Sequence, residues 1–184
     1  MNEQTKHGEL AARIRAAYAG TPIAPIRPQL AELDVDAAYA IQQENTAHWE
    51  KEGRRVVGSK IGLTSRAVQK QLGVDRPDFG VLFADMMIAE DEPVAASRVL
   101  QPKIEAEVAF LLDRDVDVEA PTVADVLRAV AYAMPALEIV GSRITNWDIG
   151  IVDTVATTHP QGFSSWAAPS EAWKAWTCAL CRCR

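Results

Sequence analysis

Cysteine is scarce in this sequence, and none of it is placed where a framework would need it. Its three cysteines, Cys178, Cys181 and Cys183, crowd the C-terminal end of a 184-residue chain. The Cys178-x-x-Cys181 spacing is half of a zinc site, but no second Cys or His pair lies near it. An odd count in an acidic chain gives no reason to expect disulfides. A basic excess is also missing: the net charge is -6, which argues against nucleic acid as a partner. No apolar run approaches the roughly 18 residues of a membrane span. The N-terminus from Met1 to Glu9 is polar and of mixed charge, unlike a secretory signal. A cytoplasmic location is the simplest expectation. A glycine-rich phosphate loop and internal repeats are absent as well.

The remaining composition, 48% hydrophobic and 24% charged, is ordinary for a globular domain, and the length suits one domain or one with a small appendage. Leu10, Ile14, Ala17 and Tyr18 recur at helical spacing and predict a helix over Gln4 to Ala19. The prolines between Gly20 and Pro28 predict a loop or extended arm. Asp34 or Asp36 then caps a second helix through about Glu52, with Ala38, Ile41, Gln42 and Asn45 on successive turns. A strand is predicted over Arg55 to Leu63, and a short helix over Arg66 to Leu72 between Ser65 and Gly73. Arg76 to Gly80 reads as a turn. Lys103 to Leu112, KIEAEVAFLL, is the clearest strand. Thr122 and Asp125 form a capping box for a helix over Val123 to Tyr132. Pro135 then interrupts, and Leu137 to Val140 reads as a short strand. Single helices between strands, joined irregularly, indicate an α+β fold.

The chemistry lies in the acids. Glu105 and Glu107 are two apart in a strand, so both leave the same face. Two like charges there repel unless a cation lies between them. A solvated surface pair is the plain alternative. Against it, a third acid, Glu138, interrupts the apolar string Met134 to Val140, where an unpartnered carboxylate is costly. Three carboxylates without His or Cys suit Mg²⁺ or Mn²⁺ rather than zinc. Such an ion would chelate a 2-oxo acid and stabilise an enolate.

Three runs extend this reading: KIGLTSRAVQKQLGVDRPDFGVLFADMM from Lys60, RVLQPKIEAEVAFLLDRDV from Arg98, and PALEIVGSRITNWDIGIVDTVA from Pro135. They resemble the 2-hydroxypenta-2,4-dienoate hydratases of the fumarylacetoacetate-hydrolase-like superfamily, which act in the meta-cleavage breakdown of aromatic compounds. The resemblance runs from about Leu10 to Ala156. It implies Glu105, Glu107 and Glu138 as ligands of Mg²⁺ or Mn²⁺, N-terminal helices before a mixed β-barrel, and a homo-oligomer. It also implies hydration of the dienoate to 4-hydroxy-2-oxopentanoate, with Lys60 as the leading proton carrier. Asp78 would position water or orient Lys60, or else simply form a turn after Pro77. Arg143 would hold a substrate carboxylate, or pair structurally with Asp148. His7 and His48 have no expected chemical role. The related 2-oxo-3-hexenedioate (4-oxalocrotonate) decarboxylases share the carboxylates and the lysine, but RPDFGVLFADM looks more like the hydratases. A non-catalytic remnant is the reading from outside the enzymes.

Beyond Ala156 the resemblance stops. Trp166, Trp173, Trp176 and every cysteine fall in a tail whose tryptophans keep no period. The tail from Ala156 can be encoded so that one added G after the first codon turns ATTHPQGFSSWAAP into ADNASAGIFVLGGP, the family-like continuation. The expected organisation is therefore an N-terminal helical region over 1–55, a partial barrel domain over 56–156, and a frameshifted tail over 157–184. A barrel left incomplete would expose apolar faces and strand edges, giving an unstable or aggregation-prone chain with little hydratase activity.

Overall fold

The computed structural model describes residues 3–88, 93–157 and 164–166. Helix α1 (Glu3–Ala17) leads through an extended arm to α2 (Val35–Lys51). Strand β1 (Val56–Gly62), the short helix α3 (Arg66–Leu72) and strand β2 (Asp78–Phe83) follow. Strand β3 (Lys103–Leu112), helix α4 (Val123–Ala129), strand β4 (Val130–Val140), helix α5 (Ile151–Thr157) and strand β5 (Ser164–Trp166) complete the described part. Strands β1 and β2 pair antiparallel, and β3, β4 and β5 form a second antiparallel sheet in that order. The architecture is mixed helix and sheet, as expected. The described strands make these two small sheets, and no closed barrel is formed among them.

The helical periodicities hold. Leu10, Ile14 and Ala17 of α1 and Ala38 and Ile41 of α2 are buried, and all of these but Ala17 share a core with Ile151, Val152 and Val155 of α5. Asp34 caps α2, its Oδ1 accepting from the Ala37 N–H at 2.9 Å. Asp153, fully buried, ties the N-terminal arm to α5. Its Oδ1 accepts from the Ile26 and Arg27 N–H groups at 2.7 and 3.0 Å, and its Oδ2 takes the Arg27 guanidinium at 2.7 Å. A second small core gathers Trp49, Phe83, Met86 and Ile88. No described helix is long and apolar enough to cross a membrane.

Local expectations needed four corrections. Ser65 stands at the N-cap of α3 but makes no side-chain cap bond, while Gly73 closes that helix with φ +69°. Asp78 does not sit in a turn; it is the first residue of β2 and is buried. The capping box at Thr122 and Asp125 forms, but the helix ends at Ala129, and Val130 to Tyr132 are already strand. Pro135 does not interrupt: β4 runs through it, paired with Val108 of β3. It lies past the end of the β5 pairing, which spans Ala136 to Glu138, so β4 has one described neighbour where the proline N–H is missing. The cysteines, Trp173, Trp176 and most of the proposed frameshifted tail lie outside the described residues.

Candidate active site

Strand periodicity sets the first part of the site. Glu105 and Glu107 leave the same face of β3, and Glu105 lies directly opposite Glu138 of β4. One carboxylate oxygen from each of Glu105, Glu107 and Glu138 lies within 4.8 Å of the others. Glu138 is buried, with 5% of its surface exposed, whereas Glu105 and Glu107 are open on their outer sides. Loss of hydration, then the charges of Glu138 and Glu105, push the Glu107 carboxyl above the ordinary carboxylate range, against the pull of Lys60. Three acids at this spacing need positive charge between them. All three are hard oxygen donors, and a cation such as Mg²⁺ fits the donor set.

Lys60 supplies part of that charge. It projects from β1, in the other sheet, and its Nζ donates to Glu138 Oε1 at 2.6 Å. Its side chain is only 18% exposed, which places it in the site and not on the surface. Asp78 and Arg143 line the same cavity of about 410 Å³ as Lys60 and the three glutamates. Every residue singled out as a site candidate from the sequence therefore reaches one cavity.

Arg143 has different partners from those expected. Asp148 pairs with Arg27 at 2.7 Å. The Arg143 Nη2 instead donates to the Thr157 carbonyl at 2.9 Å, and the guanidinium lies 4.9 Å from the centre of the Tyr18 ring. Its Nε and Nη1 are buried without a hydrogen-bond partner among the described residues. His48 does no more than approach Glu52 at 3.3 Å on the surface of α2.

Sequence reasoning missed the scaffold around these groups. Gln101, with φ +52°, donates through Nε2 to the Ser142 and Ile144 carbonyls at 2.9 and 2.8 Å. Its Oε1 accepts from the Asn146 N–H, and its carbonyl from the Trp147 indole N–H at 3.0 Å. Asn146 and Trp147 themselves have φ of +56° and +58°, a region that asparagine tolerates but that is unfavourable for the bulky tryptophan. The knot holds Trp147 in the cavity wall, with the Lys103 ammonium 3.8 Å from its ring centre. Partners more than 40 residues apart leave no local signal of this. Gln42 was legible as a buried helix position, but not as the bridge it makes between the Phe79 and Val155 carbonyls, both at 2.9 Å.

No protein-family model matches the sequence. A 2-keto-4-pentenoate hydratase of Dechloromonas aromatica is 60% identical over 153 residues, covering 83% of this chain and 58% of the relative. A protein named TodF product hydratase from Pseudomonas putida is 56% identical, with 80% of this chain and 55% of the relative covered. A 2-hydroxypent-2,4-dienoate hydratase of Pseudomonas putida is 41% identical, with 73% and 61% covered. Among solved structures, a 4-oxalocrotonate decarboxylase from Pseudomonas putida complexed with magnesium and adipate superposes with a TM-score of 0.82 at 28% identity. That match covers 89% of this chain and 62% of the decarboxylase. The resemblance to the hydratases read from the sequence is thus present in curated relatives. This chain spans less than two thirds of the length of each protein compared.

Proposed function

We propose that this chain, a homologue of the 2-keto-4-pentenoate hydratases, carries the metal and acid–base residues of a hydro-lyase of that family. Its substrate would be a small 2-hydroxydienoate and its product 4-hydroxy-2-oxopentanoate. The contact that carries the reading is Lys60 on Glu138, which brings a proton-carrying side chain onto the carboxylate cluster. Glu105, Glu107 and Glu138 would hold Mg²⁺ or Mn²⁺, and the magnesium in the solved decarboxylase complex supports a divalent ion. When bound, the ion would polarise the 2-oxo group and stabilise the developing enolate.

The protein's own groups divide the remaining work. Lys60 would carry the proton that moves along the carbon chain during tautomerisation. Asp78, buried in the same wall, would take the proton of the attacking water. The two unpartnered N–H groups of Arg143 would donate to a substrate carboxylate. The finer fold reading, helices before the first part of a mixed fumarylacetoacetate-hydrolase-type barrel, and a homo-oligomeric state belong to the same proposal.

Mn²⁺ titration of the full chain, followed by incubation with the dienoate, tests this reading. Slow loss of dienoate absorbance with formation of 4-hydroxy-2-oxopentanoate is expected, well below the rate of a full-length relative. Metal binding with no turnover would reduce the chain to a non-catalytic remnant. The decarboxylase fold match favours one second reading, decarboxylation of 4-oxalocrotonate. Release of CO₂ from that substrate, with the dienoate untouched, would replace the hydratase.

A further inference from the structure

Gly62 is the last residue of β1 and lies opposite Asp78, the first residue of β2. A Cβ built on Gly62 would sit 2.2 Å from Asp78 Oδ1, 3.1 Å from its Cγ and 3.4 Å from its Oδ2. The Asp78 carboxylate therefore lies across the bare backbone of Gly62, in space that any side chain would take. The backbone does not ask for glycine there: the positive-φ glycines are Gly20, Gly53 and Gly73, and Gly62 is not among them. Glycine inside a strand weakens it, and its use marks a close approach by another group.

Register adds a second relationship. Lys60, two residues earlier on the same face of β1, lies opposite Gly80, just as Asp78 lies opposite Gly62. The two candidate proton carriers thus form a diagonal pair across the ladder, and each faces a glycine. Helix α2 fixes the strand at this point. The Phe79 N–H donates to the Tyr39 hydroxyl at 3.2 Å, and Gln42 Nε2 donates to the Phe79 carbonyl at 2.9 Å. Both bonds hold Phe79, the neighbour of Asp78, so the strand resists moving and a new Cβ would instead turn the Asp78 carboxylate out of its place.

We propose that Gly62 is a positioning residue for the proposed hydration, setting the Asp78 carboxylate in the cavity wall by giving it the space of a missing side chain. The role in turnover rests on the hydratase reading, whereas the placement does not. Two double-variant cycles on the full chain test the two parts separately. In the stability cycle, Gly62→Ala lowers the melting temperature, and Gly62→Ala with Asp78→Ala recovers most of the loss because the clashing carboxylate is gone. Equal loss in both backgrounds, or failure of both variants to fold, overturns the placement. In the kinetic cycle, Gly62→Ala lowers kcat at least 10-fold with Mn²⁺ affinity and KM within twofold, and adds nothing in an Asp78→Asn background. Additive losses, or an unchanged kcat, overturn the positioning role. Gly58→Ala, where a Cβ would meet only Leu82 Cδ1 at 3.9 Å, is the control and should leave kcat unchanged. A wild-type chain without turnover would sink the hydratase reading alone, and the stability cycle would still decide the placement.

Discussion

Lys60 and Glu138 are 78 residues apart in sequence, and their side chains meet at 2.6 Å across two different sheets. The contact has two opposing consequences. It neutralises one acid of a crowded cluster, and it occupies an oxygen that a metal ion would claim.

Removing the lysine should therefore separate the two roles. Lys60→Met is expected to abolish turnover while raising Mn²⁺ affinity severalfold, because the ammonium no longer competes for Glu138. Calorimetric titration beside a turnover assay checks this. A fall in Mn²⁺ affinity would mean that Lys60 organises the acids instead of competing for them.

Glu138→Gln should act in the opposite sense. It removes an oxygen from the proposed metal site and leaves the largely buried Lys60 ammonium without its anion, which also costs stability. Mn²⁺ affinity should fall by about 100-fold or more, beyond the 10–100-fold typical of outer-shell changes. A measured affinity close to wild type would remove Glu138 from the metal site.

The raised Glu107 carboxyl gives a pH dependence with a definite sign. A group whose folded pKa lies above its unfolded one contributes stability below the unfolded value, and loses it as pH rises through the folded value. The metal-free chain is thus penalised by the Glu107 charge at neutral pH. Glu107→Gln should raise its melting temperature at pH 7 and leave it unchanged in strong acid. In the wild type, Mn²⁺ affinity should weaken as pH falls through the raised Glu107 value, because the proton competes with the metal. Melting curves and Mn²⁺ titrations over a pH series from acid to neutral check both. A melting temperature lowered by Glu107→Gln at pH 7 would contradict the sign.

Asp153 anchors the arm through buried bonds to two backbone N–H groups and Arg27. Asp153→Ala should destabilise the chain by about 3–5 kcal/mol, since it strips a buried anion from its partners. Chemical denaturation measures this, and a loss below 1 kcal/mol would show that the arm is held by its apolar contacts.

The far side of β3 carries no acids. Ile104, Val108 and Phe110 alternate with the glutamates and are 70%, 58% and 57% exposed. An apolar face of this kind promotes association. Val108→Lys with Phe110→Lys should reduce light scattering by the purified chain while leaving Mn²⁺ affinity within twofold, because these side chains point away from the face that carries Glu105 and Glu107. A large loss of affinity would show that the two faces are not independent.

The sequence alone determined what depends on near neighbours. Helical spacing placed α1 and α2 and named their buried residues, and alternation in KIEAEVAFLL put Glu105 and Glu107 on one face. The capping box at Thr122 was also legible, because its partners are three residues apart. Tertiary structure decided what depends on distant partners. Asp78 looked like a turn residue after Pro77, and only pairing with β1 drew it into a strand and buried it against Gly62. Val130 to Tyr132 kept a helical pattern, but the ladder with β3 claimed them as strand. Arg143 had Asp148 five residues away, yet Arg27 reached that acid first, leaving Arg143 to the Thr157 carbonyl. Periodicity and capping follow from the geometry of one segment, whereas the meeting of Lys60 with Glu138 follows from how two sheets pack.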